Sequence, residues 1–372
     1  MRGNVRRAAL AAVVGLCGIV PAARAGVSYT DLYTLGKPGG LDSAVPNGYQ
    51  IAAGGQVVGY GLTTSFVFHA VAWGAGSPNG IDLNPGSGFN SSRAYATNGT
   101  NQVGYGIGSA TGNDNHALLW SSTGVVDLNP GNGITTSFGN GIGGGQQVGY
   151  GYGATTSYKS HALVWVGTAD SAVDLQPGSG FNDSTALSTD GTHQVGYGSA
   201  TGGMHALLWS GSAASYVDLN VGSGFDASRA YAVSGTQQVG DGNSTATSGV
   251  NHAVLWTGTG DTAIDLNPSG YNASSAYGTN GTLQVGFGNF SATGKDHALL
   301  WSGTAGSYID LGALLPSTFI ESRAYSISDN TVYGYAKDDS GNYHAISWAV
   351  PEPSALALLA IAALPLTRRR RA

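Results

Sequence analysis

Short runs of alternating apolar and polar positions recur along the body of the chain. In one such run, alternation puts His116, Leu118 and Trp120 on one face of an extended segment. Ala117 and Leu119 then face the opposite side, as in a β-strand. No stretch of the body has a convincing helical period. The pattern therefore predicts an all-β protein.

The same run is repeated seven times as His-Ala-x-x-Trp. Its copies are His69/Trp73, His116/Trp120, His161/Trp165, His205/Trp209, His252/Trp256, His297/Trp301 and His344/Trp348. The spacings between successive histidines are 47, 45, 44, 47, 45 and 47 residues, and all seven tryptophans occupy this slot. The chain is therefore a repeat protein with seven units.

Two further marks occur in phase with this run. An Asp-Leu pair recurs at Asp31, Asp82, Asp127, Asp174, Asp218, Asp265 and Asp310, and Val-Gly pairs lie at Val103, Val148, Val195, Val239 and Val285. Each unit contains about four β-prone runs; in the second copy these cover residues 81–83, 93–97, 102–106 and 116–121. Asn-Gly or Asp-Gly pairs at 98–99, 140–141, 190–191 and 280–281 suit hairpin turns of type I′.

Four strands per unit at a period near 45 residues are typical of propeller blades. The sequence therefore predicts a seven-bladed β-propeller. A β-solenoid of seven repeats is the alternative, although its two ends would need polar capping repeats. The phase of the repeat leaves open whether the N-terminal strand completes the last blade.

The first 25 residues have the pattern of a secretory signal peptide. Arg2, Arg6 and Arg7 precede an apolar stretch, and an Ala-x-Ala site predicts cleavage between Ala25 and Gly26. The chain is therefore predicted to consist of three segments: a signal peptide at 1–25, a seven-repeat domain at 26–350 and a tail at 351–372. Cleavage would remove the single cysteine, Cys17, and with it disulfide and thiolate chemistry.

Charge narrows the choice of partners. Residues 26–350 hold 7 Lys and Arg and 20 Asp and Glu, so their net charge is 7 − 20 = −13. Such a body repels nucleic acids and anionic membrane surfaces, and no nucleic-acid partner is expected.

The body resembles the HAF-type extracellular repeat. The first copy carries the likeness in residues 31–36 (Asp-Leu-Tyr-Thr-Leu-Gly), 56–59 (Gln-Val-Val-Gly) and 69–73 (His-Ala-Val-Ala-Trp). Leu or Val stands where the family has Phe. The resemblance implies an extracellular location and a propeller-like architecture, without a defined activity.

The tail resembles the PEP-CTERM sorting signal. Pro351, Glu352 and Pro353 form the motif; a 14-residue apolar stretch, Ser354–Thr367, and four arginines follow. The stretch is shorter than the roughly 20 residues of a membrane-spanning helix, so membrane retention is expected to be transient. The resemblance implies cleavage by an exosortase-type enzyme after export through signal peptidase, with a final location at the cell surface or outside the cell.

Residues repeated in every unit are expected to be structural, because a catalytic site is needed only once. We therefore predict that the seven His and seven Trp hold the fold, and we assign no catalytic residue, metal ligand or cofactor. The sequence identifies no ligand-binding residues. Two residues depart from the pattern: His193 lies outside the histidine slot, and Asp241 replaces the tyrosine of Val-Gly-Tyr-Gly.

Export and repetition favour a non-enzymatic surface or matrix protein with a structural or adhesive role, with extracellular polysaccharide as a partner. One alternative is a carbohydrate-binding propeller that uses exposed Tyr105, Tyr150 and Tyr197. Another is a secreted hydrolase or lyase with its site at one mouth of the propeller, which would need an asymmetric cluster of ionisable residues.

Overall fold

The computed structural model describes residues 27–32, 39, 41–46, 56–74 and 77–351. Cys17, the cleavage site at Ala25 and Gly26, and the tail from Glu352 onward, including Pro353, lie outside the described residues. The regular structure of the described ranges consists of β-strands and short 3-10 turns. No helix in those ranges has the length and apolar character needed to span a membrane.

Within these ranges, twenty-eight strands form seven four-stranded antiparallel sheets, which are the blades. The first strands of blades 1 to 7 are β2 (Leu41–Pro46), β6 (Ser91–Thr97), β10 (Ile134–Gly143), β14 (Phe181–Thr189), β18 (Ala227–Ser234), β22 (Tyr271–Thr279) and β26 (Phe319–Ser328). The second strands are β3 (Val57–Thr63), β7 (Gln102–Ile107), β11 (Gln146–Gly153), β15 (Gln194–Ala200), β19 (Gln237–Asn243), β23 (Gln284–Phe290) and β27 (Thr331–Asp338).

The His-Ala-x-x-Trp runs form the third strands. These are β4 (Phe68–Gly74), β8 (His116–Ser121), β12 (His161–Trp165), β16 (Gly203–Trp209), β20 (His252–Trp256), β24 (Lys295–Trp301) and β28 (Tyr343–Ala349). The fourth strands end at the repeated aspartates: β5 (Ser77–Asp82), β9 (Gly124–Asp127), β13 (Val173–Asp174), β17 (Val217–Asp218), β21 (Ile264–Asp265), β25 (Ile309–Asp310) and, for blade 7, β1 (Ser28–Asp31).

The blades form a closed ring, which confirms the seven-bladed β-propeller and excludes the solenoid. The first strands of neighbouring blades contact one another along most of the ring, so they surround its centre. The N-terminal strand β1 pairs with β28, with Ser28 opposite Ala349 and Asp31 opposite Ile346. Trp73 of blade 1 packs with Leu32 of blade 7, which joins the two ends.

This closure settles the phase of the repeat. Each Asp-Leu pair ends the blade that contains the preceding His-Ala-x-x-Trp run, so the first pair in the chain belongs to the last blade. The prediction of type I′ turns was wrong in detail. Asn98-Gly99 begins a four-residue connection in which only the glycine has positive φ, and Asn140-Gly141 lies inside β10, ahead of the turn at Gly144 and Gly145.

The repeated Val-Gly pair is explained by a close approach of two strands. A Cβ on Gly240 would lie 1.8 Å from the carbonyl oxygen of Arg229 on the neighbouring first strand. The valine before it, Val239, is fully buried. The glycine therefore sets how the second strand meets the first in blades 2 to 7, each of which has the same close approach.

Candidate functional site

The repeated histidines and aspartates form one hydrogen bond in each blade. Every His Nδ1 lies 2.7–2.8 Å from Asp Oδ2, in the pairs 69/82, 116/127, 161/174, 205/218, 252/265, 297/310 and 344/31. A carboxylate can only accept, so Nδ1 carries the proton. The bond to Asp310 raises the pKa of His297. The last pair joins the two ends of the described chain.

In blades 1 to 5 a chain of polar contacts extends the pair to the next blade. In blade 1, Asp82 Oδ1 accepts the backbone N–H of Asn84, and Asn84 Oδ1 accepts the hydroxyl of Ser92 on the following first strand. Ser92 Oγ in turn accepts the backbone N–H of Ala70. Each such unit consists of a His–Asp pair, an Asn or Gln, and a Ser of the next blade. The Asn-Pro-Gly loop at Asn84 is thus part of the blade junction.

The tryptophans lie between blades and are at most 5% exposed. Trp256 of blade 5, for example, packs against Leu208 and Leu219 of blade 4. Trp348 of blade 7 is fully buried in the same cluster as Leu300 and Leu311 of blade 6. The structure thus places all seven predicted tryptophans in blade junctions: Trp73, Trp120, Trp165, Trp209, Trp256, Trp301 and Trp348.

The indole nitrogens of six of the seven tryptophans fall into two groups. Trp120 Nε1 donates to the carbonyl oxygen of Leu83 at 2.7 Å. Five others have a buried Nε1 without a hydrogen-bond partner among the described residues: Trp165, Trp209, Trp256, Trp301 and Trp348. Their contribution to the junctions therefore comes from apolar packing.

This geometry agrees with a structural role for the repeated residues, which stays a prediction until the substitutions below are measured. Within the described ranges no three His, Cys, Asp or Glu side chains come together as a metal site. A reactive group that occurs only once is therefore expected at a position that differs between blades.

A second set of equivalent positions varies in this way. The residue after the repeated glycine of each second strand forms what we call the belt: Tyr60, Tyr105, Tyr150, Tyr197, Asp241, Phe287 and Tyr335. The belt tyrosines Tyr105, Tyr150 and Tyr197, expected to be exposed, are half-buried. Tyr105 packs on Phe138 of blade 3 at 5.0 Å, and Phe138 stacks on Tyr150 at 4.9 Å. Burial raises the pKa of Tyr150 to about 12, so its phenol stays neutral.

Asp241 is the one acidic residue of the belt and only 4% exposed. Its Oδ2 accepts hydrogen bonds from Ser275 Oγ of blade 6 at 2.8 Å and from Asn251 Nδ2 at 3.1 Å. The Tyr231 hydroxyl lies 3.3 Å from both carboxylate oxygens. Arg229 lies directly opposite Asp241 on the first strand of the same blade. We call these five residues the Asp241 cluster.

Burial raises the pKa of Asp241, while the Ser275 hydrogen bond, Arg229, Tyr231 and Asn251 act in the opposite direction. The same burial raises the pKa of Tyr231, helped by the charge of Asp241. A carboxyl group with a raised pKa keeps its proton to a higher pH, and such groups gather at catalytic sites. The cluster can therefore hold a proton and release it.

One end of the ring carries both the His–Asp pairs and the belt. At this end lie the connections between the second and third strands of each blade and the connections from each blade to the next. We call this end the upper face. His193 lies at the opposite end, in the turn between β14 and β15. Its backbone N–H and ring both contact Asp190, at 2.8 and 3.4 Å. It is thus a turn residue, separate from the Asp241 cluster.

Two aromatic residues of the upper face were missed by sequence reasoning. The position three residues before each repeated histidine has a positive φ in all seven blades; it holds Gly in four and Asn in one. Blades 1 and 3 place Phe66 and Tyr158 there, with φ of 60° and 59°, and these side chains are 79% and 72% exposed. A bulky residue in this backbone region is strained. Aligning the repeats on histidine would have revealed both.

Comparison with known proteins gives the fold independently. No family model matches the chain, and no curated protein matches it. Among solved structures it is similar to the β-propeller domain of the Trilobed protease from Pyrococcus furiosus, with 8% identity, a TM-score of 0.55 and coverage of 82% of this chain and 96% of that one. That structure is described as having an open velcro topology, whereas β1 closes the ring here.

Two further structures bear on function. A puromycin-hydrolyzing peptidase from Mycobacterium tuberculosis is 11% identical with a TM-score of 0.53, and the match covers 86% of this chain and 53% of the peptidase. An oligogalacturonate lyase from Vibrio parahaemolyticus is 10% identical with a TM-score of 0.51, covering 88% and 94%. At these identities the likeness shows the fold alone. The three neighbours described here are enzymes or parts of enzymes and none is a matrix protein, so the prediction of a structural or adhesive matrix role is corrected.

Proposed function

We propose that the protein cleaves oligosaccharides as a hydrolase or lyase, at a site on the upper face built around Asp241. The observation that carries the proposal is the Asp241 cluster: one blade of seven replaces a belt aromatic with a buried carboxyl group of raised pKa. This is the asymmetric ionisable group that an enzyme at a propeller mouth needs. The repeated histidines and aspartates are occupied with one another in every blade.

The share of each known enzyme that this chain matches favours a saccharide over a peptide as the substrate. The peptidase is matched over 53% of its length, so its reaction can lie in the unmatched part. The lyase is matched over 94% of its length, so there a propeller forms nearly the whole enzyme. The described part of this chain is a single propeller, and it is thus better compared with the lyase.

Asp241 is assigned as the general acid. Both hydrolysis and elimination break a bond from carbon to the glycosidic oxygen, and the departing oxygen needs a proton. The protonated Asp241 donates it. In hydrolysis a water molecule adds to the carbon and loses a proton, and in elimination the adjacent carbon loses a proton to water as a double bond forms; either proton restores the acid form of Asp241. Its raised pKa suits this role because a general acid works best when its pKa lies near the working pH. Ser275, Asn251 and Tyr231 hold the carboxyl group in place and act as positioning residues.

The test is cleavage by the purified protein of a panel of neutral and acidic oligosaccharides, followed by the appearance of new chain ends. Asp241→Asn should lower kcat at least about 100-fold, as expected for loss of a general acid. Asp170→Asn, at an exposed acid of blade 3, is the matched control and should keep full activity. Wild-type activity should fall as the pH rises through the raised pKa of Asp241. Absence of cleavage across the panel, or full activity of Asp241→Asn, would overturn the proposal.

We also propose that the protein works outside the cell, after removal of residues 1–25 by signal peptidase and sorting of the 351–372 tail by an exosortase-type enzyme. The basis is the order of motif, apolar stretch and arginines, together with the HAF-type resemblance. Mass spectrometry of the protein from the cells that make it should find Gly26 as the first residue and a C-terminus near Pro351. An intact chain would contradict both steps.

A further inference from the structure

Three first-strand positions of the upper face carry arginine: Arg93 in blade 2, Arg229 in blade 5 and Arg323 in blade 7. Each lies directly opposite a belt residue, namely Tyr105, Asp241 and Tyr335. Each guanidinium also lies over a belt ring of the preceding blade, at 5.0 Å for Tyr60, 5.6 Å for Tyr197 and 4.1 Å for Phe287. The same arginine site is thus built three times.

Two of the three sites include a carboxyl group of the protein. Arg229 lies opposite Asp241, which supplies a counter-charge to the arginine when it is ionised. Arg323 Nε donates to Asp296 Oδ2 at 2.8 Å, and its Nη2 contacts the same oxygen. Asp296 is the residue just before the repeated histidine of blade 6.

The Arg93 site has no such carboxylate among the residues that the structure describes. At the position that corresponds to Asp296, blade 1 has Phe68, whose ring lies 4.2 Å from the guanidinium. Tyr60 at 5.0 Å and Tyr105 at 5.9 Å complete a cage of three rings. Within the same part of the chain no hydrogen-bond partner exists for the buried Nε of Arg93. The charge is held in place by aromatic faces but is not neutralised.

We propose that Arg93 binds a carboxylate of the substrate, so that the substrate is an acidic oligosaccharide built from uronate sugars. In a body with a net charge of −13, a fixed cation without an acidic partner is unexpected unless a ligand supplies the anion. Guanidinium matches the two oxygens of a carboxylate in a planar fork. The surrounding rings suit the apolar faces of a pyranose. This inference rests on the proposed function and names its substrate class.

The probe is a hexauronate with free carboxylates, compared with its methyl ester, and binding is measured by calorimetry in the Asp241→Asn background so that cleavage does not interfere. The free acid should bind at least about tenfold more tightly than the ester. Arg93→Gln should abolish this preference, and Arg93→Lys should keep only part of it because lysine lacks the fork. Lys159→Gln removes one exposed positive charge of the upper face and should leave the preference unchanged.

Several outcomes would overturn the assignment. They are equal binding of acid and ester, an unchanged preference in Arg93→Gln, or equally tight binding of a hexaglutamate peptide. Thermal melting of each variant shows whether it is folded; if Arg93→Gln is not, Arg93→Lys decides. The two proposals fail separately. Arg93-dependent binding without any cleavage by wild type would remove the proposed activity only, and cleavage of neutral chains that ignores Arg93→Gln would remove the acidic substrate only.

Discussion

The His–Asp pairs and the belt lie on the same face of the same seven blades, yet they differ in how they vary. The His–Asp pair has the same 2.7–2.8 Å geometry in every blade, including the pair that closes the ring. The belt residue is aromatic in six blades and is Asp241 in blade 5. A ring of seven blades needs seven similar junctions, whereas a reaction needs one proton donor. Repetition therefore indicates structure, and the break in repetition indicates chemistry.

The largest expected effect is the loss of stability when a repeated tryptophan is removed. Trp209 is fully buried between blades 3 and 4, so Trp209→Ala should lower the free energy of unfolding by about 3–5 kcal/mol. Val166→Ala, at a 61% exposed position of blade 3, is the control and should change it by less than about 0.5 kcal/mol. Urea unfolding measures both. A cost for Trp209→Ala as small as that of the control would mean that the repeated tryptophans do not hold the blades together.

A smaller effect is expected from single His–Asp pairs. Asp218→Ala leaves His205 without its partner and should cost about 1–3 kcal/mol. Asp31→Ala removes the same bond in blade 7, where Asp31 belongs to the strand that closes the ring. Hydrogen exchange should therefore become faster along β1 and β28 in Asp31→Ala, and stay unchanged there in Asp218→Ala. Equal exchange in the two variants would show that the closing pair is no different from the others.

The smallest effect has the opposite sign. Phe66→Gly and Tyr158→Gly place at a positive φ the residue that four other blades use there. Each should raise the free energy of unfolding by about 1 kcal/mol, because glycine adopts this backbone region without strain. Denaturant titration against Phe66→Ala, which keeps the strain, is the measurement. A loss of stability in both glycine variants would show that these exposed rings contribute to the fold, and would place them on the structural side of the comparison.

The sequence predicted the blades well because their determinants are local and repeated. Alternation around Trp120 and the spacing of the histidines gave the third strands, and four runs per 45 residues gave the architecture. The closure of the ring could not be predicted from the sequence, because the pairing of Asp31 with His344 depends on which strand each edge strand meets in three dimensions. The turn types were also missed, since Asn140-Gly141 continues a strand whose turn is made by the following glycines.

The site was only partly predictable. Asp241 was visible as a departure from the repeat, but its partners were not. Ser275 comes from the next blade, and Asn251 from beyond the connection that follows β19. Ser-Arg-Ala-Tyr recurs at 92–95, 228–231 and 322–325, but the isolation of Arg93 from carboxylates is a property of the folded surface. Such features depend on contacts between blades, which a single sequence does not specify.

The most direct test of the comparison is the free energy of unfolding of Asp241→Asn and Asp218→Asn, measured from acidic to neutral pH. Asp241 has a raised pKa in the folded state, so its contribution to stability is complete below the ordinary Asp pKa of about 3.9 and is lost as the pH rises through the raised value. At neutral pH, Asp241→Asn should therefore be at least as stable as wild type, with a flatter pH profile, while Asp218→Asn is less stable. A loss of stability in Asp241→Asn equal to that in Asp218→Asn would contradict the account.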